Sequence, residues 1–527
     1  MPSLPQACSG DDGRERFGRN VAFAWGGYLV NVASGFVVPR LISDHLGQSV
    51  LGIWDFAWSF VAYFGLVQLG LGGSIGHYVA HYRANRDSAG LNRSVSTIAV
   101  FQRSVGWLSL VLAIVSAWVL LPLFEARLGQ DLATARWVLL ILGTEVAFTV
   151  MLAVYGSVIT GCHRWDMHNC ISAIAYATGA LGMIGVLLSG GGLPALALLH
   201  CIVMVASELV RWSLVKRVCP ELVIQRSLAS WDTFVEQVRY SIKSLIPSVS
   251  GLLSNQALSL LIVAFLGPAS LAVFSRSRAL MTTLRMLAVK FGMIVVPTAS
   301  TLHARKDLRG LQDTLLGPAA IISSLVLPVL TAIGFLGDHL IRLWMGDAYV
   351  LNCLLPILCA GTYATLVQEP VWSLLSGMDM HGPLALAKLG AAIASALLLT
   401  LGLWYFHWGL LGAAACFAFP QVLVDGLLTP WYASRVLGVP QRIFFWRVML
   451  RPIACVMPFA LALKMATQRF EFHPCEATGT VVIGTCVSAW AYWRWLVSPK
   501  LKLRLQGNPR KWLPKGTLAA VPEHESQ

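Results

Sequence analysis

Apolar stretches of about 20 residues recur along the whole chain, and short polar segments separate them. A helix of that length spans about 30 Å of hydrocarbon. The pattern therefore predicts an all-α integral membrane protein with about 14 transmembrane helices, and a count of twelve stays open because it has the same parity. The predicted spans are 21–38, 53–73, 97–122, 135–159, 169–189, 193–213, 244–266, 271–297, 313–335, 352–376, 384–405, 409–429, 445–464 and 477–497.

The composition agrees with a membrane protein and excludes an ordinary soluble domain. Of the 527 residues, 56% are hydrophobic and 12% are charged, whereas soluble domains contain about 25% charged residues. The first apolar stretch, 21–38, is longer than the core of a cleavable signal peptide, so we expect it to be the first span. The eleven cysteines form no CxxC pair and no Cys/His cluster, so we expect no metal site and no disulfide framework.

Lys and Arg concentrate on one side of the predicted topology. If the N-terminus is cytoplasmic, most of the 39 Lys and Arg lie in cytoplasmic segments, and the outer loops contain only Arg40, Arg127, Arg136, Arg342, Lys464 and Arg469. The positive-inside rule then places both termini in the cytoplasm. A net charge of +14 would suggest a nucleic-acid partner in a soluble chain, but here the positive-inside distribution accounts for the basic residues, so we expect no nucleic-acid partner.

Two segments of the chain repeat at an offset of 220 residues. LGQSVLGIW at 46–54 matches LGPASLAVF at 266–274, and ANRDSAGL at 84–91 matches ARKDLRGL at 304–311. An even number of predicted helices separates the matching spans, so the repeats run parallel, as in transporters whose substrate site lies between two lobes. The predicted parts are a cytoplasmic tail (1–20), an N-lobe of spans 1–6 (21–213), a basic cytoplasmic linker (214–243), a C-lobe of spans 7–12 (244–436), spans 13 and 14 (437–497) and a basic cytoplasmic tail (498–527).

The linker contains the pattern of an amphipathic helix. After Ser230, a residue type that caps helices, apolar residues recur at helical spacing at Trp231, Phe234, Val235 and Val238. We expect this helix to lie on the cytoplasmic membrane surface and to enter span 7 near Pro247. A solvated linker is the alternative.

Short motifs in both halves resemble those of a known transporter family. They are Asn20, Trp25, Pro39, Leu46-Gly47 and Trp54, then Gly70, Gly72 and Tyr78-Val79-Ala80, and in the second half Phe265-Leu266-Gly267 and Val273-Phe274. In these motifs the chain is similar to the polysaccharide transporter family, which contains the O-antigen and exopolysaccharide flippases. That family belongs to the multidrug/oligosaccharidyl-lipid/polysaccharide exporter superfamily, and the resemblance extends over most of the chain.

The resemblance implies a V-shaped transporter of two lobes in the bacterial inner membrane. Such a protein moves a lipid-linked oligosaccharide by alternating access, and its lipid carrier is typically undecaprenyl diphosphate. Members that carry anions of this kind have a cationic central cavity. The partners implied are a polyprenyl diphosphate-linked glycan, membrane lipids and polysaccharide assembly proteins, and we expect a monomer.

The predicted span 271–297 contains four cations: Arg276, Arg278, Arg285 and Lys290. One charge at the centre of a membrane helix costs about 2.5–3.5 kcal/mol. We expect Arg276 and Lys290 to reach the outer and inner headgroups, or else to join a cavity. Arg278 and Arg285 share a helix face, and Arg285 lies near mid-span. Arginine suits a bidentate grip on phosphate, so these four residues are the first candidates for substrate binding.

Other polar residues within spans extend the candidate site. Asn255 and Gln256 could meet sugar hydroxyls, or they could serve helix packing. Glu369 precedes Pro370, which bends a helix, so Glu369 is a candidate for proton or cation coupling, as are Asp425 and Glu145. The alternative is that Arg285 pairs with a buried acid, namely Glu145, Glu208, Glu369 or Asp425. Asp55 is interpreted as an interfacial residue.

Three functions are compatible with the pattern. The first is a flippase for lipid-linked oligosaccharide. The second is a cation-coupled small-molecule or drug antiporter of the same superfamily, in which acids would dominate the cavity. The third is a membrane-embedded glycan polymerase or ligase, which would need a large outer loop. The sequence contains no Walker, HExxH or nucleophile-elbow motif, so we expect no enzyme activity, no catalytic residues and no cofactor.

Overall fold

The computed structural model describes residues 10–64, 71–469 and 474–495, and within these ranges the chain is helical and contains no strand. The first helices are α1 (Gly10–Leu46), α2 (Gln48–Phe64), α3 (Leu71–Ala84), α4 (Ser88–Val115), α5 (Glu125–Leu128), α6 (Leu132–Gly161), α7 (Trp165–Leu188) and α8 (Leu193–Val218). They are followed by α9 (Trp231–Leu252), α10 (Leu258–Leu266), α11 (Pro268–Ala304), α12 (Leu308–Met345), α13 (Leu354–Gly377), α14 (Gly382–Trp404), α15 (Leu410–Leu423), α16 (Thr429–Leu437), α17 (Gln441–Phe444), α18 (Arg451–Arg469) and α19 (Pro474–Trp495).

Single π-helical turns interrupt or extend several of these helices. They occupy Ser116–Leu120, Leu253–Ala257, Val424–Leu428 and Phe445–Leu450. Short 3₁₀ turns occupy Leu121–Phe124, Gly129–Asp131, Arg226–Leu228 and Asp347–Tyr349. Because π turns are frequent at functional sites, the turn between α9 and α10 is notable: it contains two of the predicted substrate residues.

In the part of the chain that the structure describes, nine helical runs are long and apolar enough to cross a membrane. The protein is therefore a multi-pass membrane protein. Each predicted span overlaps a helix, although 53–73 lies partly, and the tail 498–527 wholly, outside the described residues. Helix α1 already begins at Gly10, within the predicted tail 1–20. The number of crossings and the two-lobed arrangement stay predictions.

The repeat seen in the sequence recurs in the backbone. Gly47 and Gly267 both have left-handed φ angles, of 96° and 87°, which glycine adopts without strain. Asp87 and Asp307 both cap the following helix, because each carboxylate accepts a hydrogen bond from the glycine amide three residues later, at 2.8 and 2.9 Å. Residues 220 positions apart therefore play the same structural roles.

Most of the close helix packing lies within one half of the chain or the other. In the N-terminal half, α1 packs on α7, and α6 packs between α4 and α8. In the C-terminal half, α13 packs between α11 and α12 and also against α15, which contacts α14. The last two helices, α18 and α19, cover α12 through a cluster that includes Leu336, Phe459 and Tyr492. The main contact between the halves is made by α2 and α11.

The halves meet at the end of the molecule that carries Gly47, Gly267 and Gly346, here called the closed end. A Cβ atom on Gly52 would overlap the carbonyl oxygen of Pro268, so α2 and α11 touch backbone to backbone. Nearby, the indole Nε1 of Trp344 donates to the carbonyl of Phe36 at 2.8 Å. The opposite end, which carries Asp87 and Asp307, is here called the basic end.

The connection between the halves is held against α4. The backbone N–H of Ser230 donates to the Thr97 hydroxyl at 3.1 Å, and the Gln237 amide donates to the Ser94 hydroxyl at 2.6 Å. A helix begins at Trp231 and continues through Leu252. The expected cap differs, because the Ser230 side chain makes no capping hydrogen bond. Trp231 is 74% exposed, which leaves its ring available to a membrane surface.

Candidate functional site

A cavity of about 880 Å³ lies between the two halves. One wall is formed by α1, α2 and α7, and is here called the N-terminal wall. The other wall is formed mainly by α11, with Gln256 and Ser259 from the α9–α10 region, and is here called the α11 wall. The cavity extends from Arg276 to Lys290 along α11, a rise of about 21 Å at 1.5 Å per residue.

An ion pair joins the two walls near the closed end. Nη2 of Arg276 in α11 donates to both carboxylate oxygens of Asp55 in α2, at 2.7 and 2.8 Å. The two side chains are only 9% and 15% exposed. Of the two alternatives for Arg276, the cavity describes its position, and Asp55 is the partner that Arg276 binds there. Their charges cancel inside the cavity.

Arg278 lies on the same wall and faces no acid. Its Nη1 lies 3.4 Å from the carbonyl oxygen of Asn255, and its guanidinium lies 5.8 Å from the centre of the Phe274 ring. No carboxylate of the described residues forms an ion pair with it. The positive charge of Arg278 is therefore available to an anion in the cavity.

Lys290 is a second cavity cation without an acidic partner among the described residues. Its ammonium lies 4.3 Å from the ring centre of Trp25 and 4.5 Å from that of Tyr28, both in α1. Cations are attracted to such ring faces. The aromatic pair holds Lys290 in place but leaves its net charge uncompensated.

Arg285 lies outside this cavity. It is not among the residues that line it, and its Nε lies 3.5 Å from a carboxylate oxygen of Glu369 in α13. The expectation that Arg285 lies unpaired in the cavity is therefore not met. The alternative, that Arg285 pairs with a buried acid, matches its contact with Glu369. The Arg285 side chain is 50% exposed, so this ion pair is a loose one.

The remaining candidates separate into cavity residues and paired residues. Gln256 lines the cavity, whereas the Asn255 amide donates within its own helix to the Gly251 carbonyl at 2.7 Å. Asp425 lies 3.1 Å from the Lys388 ammonium, and Glu145 lies 2.7 Å from Nδ1 of His200. Each of these two carboxylates is buried and already has a partner in its own half.

Sequence reasoning missed the N-terminal wall. This wall consists of aromatic, amide and hydroxyl groups from three helices: Tyr28, Asn31 and Phe36 of α1, Trp58 and Ser59 of α2, and His168, Asn169, Ser172 and Tyr176 of α7. The α7 residues recur at helical spacing within an apolar span, which is the pattern of a polar stripe. That stripe is the signal for this wall in the sequence, and it contains no Lys, Arg, Asp or Glu.

The comparisons with known proteins agree with this architecture. Residues 79–352, just over half of the chain, match the model of a family described as polysaccharide biosynthesis protein. The chain belongs to this family. The uncharacterized membrane protein EpsK of Bacillus subtilis (strain 168) is 20% identical over 485 residues, which cover 88% of this chain and 92% of EpsK.

Solved structures share the fold of this family member. The lipid II flippase MurJ, in an inward closed conformation, matches with a TM-score of 0.68 at 13% identity, covering 89% of this chain and 98% of MurJ. A multidrug resistance MATE transporter of the MOP superfamily, in an inward-facing conformation, matches with a TM-score of 0.64 at 16% identity, covering 80% and 98%. The polysaccharide biosynthesis protein described here therefore has the fold of these transporters.

Proposed function

We propose that the protein is a flippase that moves a polyprenyl diphosphate-linked glycan across the bacterial inner membrane. Family membership and a fold shared with a lipid II flippase support this proposal. With both termini cytoplasmic, as the loop charges predict, the basic end faces the cytoplasm and the cavity is closed toward the outside. The protein then alternates between this state and one that opens at the closed end, without catalysing a reaction.

The observation that carries the proposal is the uncompensated charge of the cavity. Arg278 and Lys290 both line it, and neither has an acidic partner in the described part of the chain. A charge within the membrane is costly, so two such cations require an anionic ligand or water. A diphosphate supplies the negative charge, and the planar fork of Arg278 matches its oxygens in a bidentate manner.

The residues that line the cavity support a drug or cation antiporter less well than a flippase. A site for organic cations needs an available carboxylate. Asp55 is the one acidic side chain among the described residues that line the cavity, and it is bound on both oxygens by Arg276. The described lining therefore carries a net positive charge and favours an anionic substrate.

The proposal is tested by substituting Arg278 in cells that depend on the protein for glycan export. Arg278→Ala should lower export about tenfold or more, because a hydrogen bond to a charged group contributes roughly 1.5–3 kcal/mol. Arg278→Lys should recover only part of the activity, since a point charge replaces a planar fork. Arg103→Ala removes an exposed arginine outside the cavity and serves as the matched control. Normal export by Arg278→Ala, at wild-type protein level, would contradict the proposal.

A further inference from the structure

The two walls of the cavity differ completely in charge. All three cations among the described lining residues, Arg276, Arg278 and Lys290, come from α11. The N-terminal wall contributes a single charged side chain, Asp55, and that carboxylate is already bound to Arg276. The α11 wall therefore suits an anion, whereas the N-terminal wall suits an uncharged polar group.

Unpartnered amides face the cavity from both sides. In the described part of the chain, the side-chain amides of Asn31, Asn169 and Gln256 have no protein hydrogen-bond partner, although all three line the cavity. The contrast with Asn255 is direct, because that neighbouring amide is satisfied within its own helix. An amide can both donate and accept, which is what recognition of a sugar hydroxyl requires.

Aromatic rings accompany these amides on the N-terminal wall. Trp58 and Tyr176 line the cavity, and Tyr176 is 38% exposed. An aromatic side chain offers a broad apolar face, and the axial C–H groups of a pyranose ring form a face of the same kind. Close packing places α1 beside α7, since a Cβ on Gly27 would lie 3.3 Å from the Cβ of Ala173. The amides and rings of both helices therefore share one surface.

Among its described lining residues the N-terminal wall has no lysine or arginine of its own, and the cation beside it, Lys290 of α11, lies against the Tyr28 ring of α1. Arg211 of α8, which reaches this wall from behind, donates to Ser172 at 2.7 Å and is paired with Glu208 at 2.5 Å. Its charge is therefore already compensated within the N-terminal half. A carboxylate placed against Asn169 and Tyr176 of α7 would be desolvated without a cationic partner from this wall, which is costly.

We propose that the N-terminal wall, centred on Asn31, Asn169 and Tyr176, is the binding subsite for uncharged sugars attached directly to the lipid diphosphate. This inference rests on the proposed function, in which the α11 wall holds the diphosphate. A volume of about 880 Å³ falls within the range of about 300–1,000 Å³ that encloses small ligands. The N-terminal wall therefore binds the sugars next to the diphosphate, and the rest of the glycan lies outside the cavity.

The test measures the affinity of the full-length protein in lipid nanodiscs for three synthetic probes. These are undecaprenyl diphosphate, the same lipid bearing one N-acetylhexosamine, and the same lipid bearing one hexuronic acid. We expect the neutral sugar to improve affinity about tenfold over the bare lipid, as one or two added hydrogen bonds allow. The uronic acid should give no improvement.

Variants then locate the sugar subsite. Asn169→Ala should weaken binding of the neutral-sugar probe about tenfold and binding of the bare lipid less than about twofold. Tyr176→Leu should act in the same direction. Asn92→Ala is the matched control, because this asparagine of the same half accepts a hydrogen bond from the Val223 backbone, away from the cavity. Binding of the bare lipid also reports that each variant is folded.

Each outcome bears on one proposal. Equal or tighter binding of the uronic-acid probe, or equal losses for both lipids in Asn169→Ala, would overturn the sugar subsite. Bare undecaprenyl diphosphate that binds, and that loses affinity in Arg278→Ala, would at the same time uphold the proposed function. Failure of the bare lipid to bind, or its indifference to Arg278→Ala, would overturn the flippase proposal itself.

Discussion

The ion pair between Asp55 and Arg276 should stabilise the closed end, because it joins α2 to α11 across the two halves. In Asp55→Asn, the side chain keeps its shape but loses its charge, and Arg276 remains buried with an uncompensated charge. One of the two hydrogen bonds, at 2.7 and 2.8 Å, is lost because the amide nitrogen cannot accept, and the other weakens because its acceptor is now a neutral amide oxygen. A hydrogen bond to a charged group contributes about 1.5–3 kcal/mol.

That energy corresponds to a shift of about 10- to 150-fold in the equilibrium between the two states of the transporter. The full shift is expected if the Asp55–Arg276 ion pair forms only in the state in which the two halves meet at the closed end. The shift is measurable by cross-linking cysteines placed at Gln48 and Ala348, where the Gln48 amide donates to the Ala348 carbonyl at 3.1 Å, in a variant without native cysteines. We expect slower cross-linking in Asp55→Asn.

Two further variants make this measurement specific. Asp44→Asn breaks an ion pair with Arg40 within α1, where the side chains are 43% and 38% exposed, and exposed pairs contribute little. It should leave cross-linking nearly unchanged. The double variant Asp55→Asn/Arg276→Gln removes both charges of this pair, so Arg276 is no longer left as an uncompensated charge, and it should recover part of the rate. Cross-linking at the wild-type rate in Asp55→Asn would refute the idea that this pair holds the halves together.

Two other substitutions have clear expected outcomes. Gly52→Leu should abolish export at normal protein level, because the leucine side chain would overlap the backbone of Pro268 and hold α2 away from α11 at the closed end. Export at the wild-type rate would show that α2 and α11 do not need to touch during transport. Glu369→Gln should remove any dependence of export on the proton or sodium gradient if Glu369 is the coupling residue, and an unchanged gradient dependence would leave it as the partner of Arg285. Arg285→Ala should lower export less than Arg278→Ala, since Arg285 is half exposed and paired outside the cavity; equal losses in an export assay would contradict the separation of their roles.

Much of the fold could be predicted because its signals are local. A membrane span is defined by about 20 consecutive residues. The helix caps at Asp87 and Asp307 each involve only the backbone amide of the glycine three residues later. The presence of cations in span 271–297, and the need for some of them to avoid lipid, also follow from the sequence alone. These inferences require no knowledge of which helices are neighbours.

The choice of partner could not be predicted, because it depends on long-range packing. Arg278 and Arg285 share a helix face, yet α13 packs beside α11 near Arg285 and supplies Glu369. Nearer the closed end, α2 supplies Asp55 to Arg276 instead. The order of helices around α11 decides which cation is neutralised and which remains available.

The backbone contact between Gly52 and Pro268 also has an electrical consequence. In the proposed inward-open state, water would fill the cavity from the basic end, and most of the membrane voltage would then fall across the layer where α2 and α11 touch. Moving one charge through the full voltage is worth about 2.3 kcal/mol per 100 mV. Three charged residues lie beside this layer: Arg276, Asp55 and Arg278. When the closed end opens, the membrane electric field would act on these charges at a different position, and their electrostatic energy would change with the membrane voltage. The rate of glycan export should therefore respond to membrane potential even where no ion is co-transported.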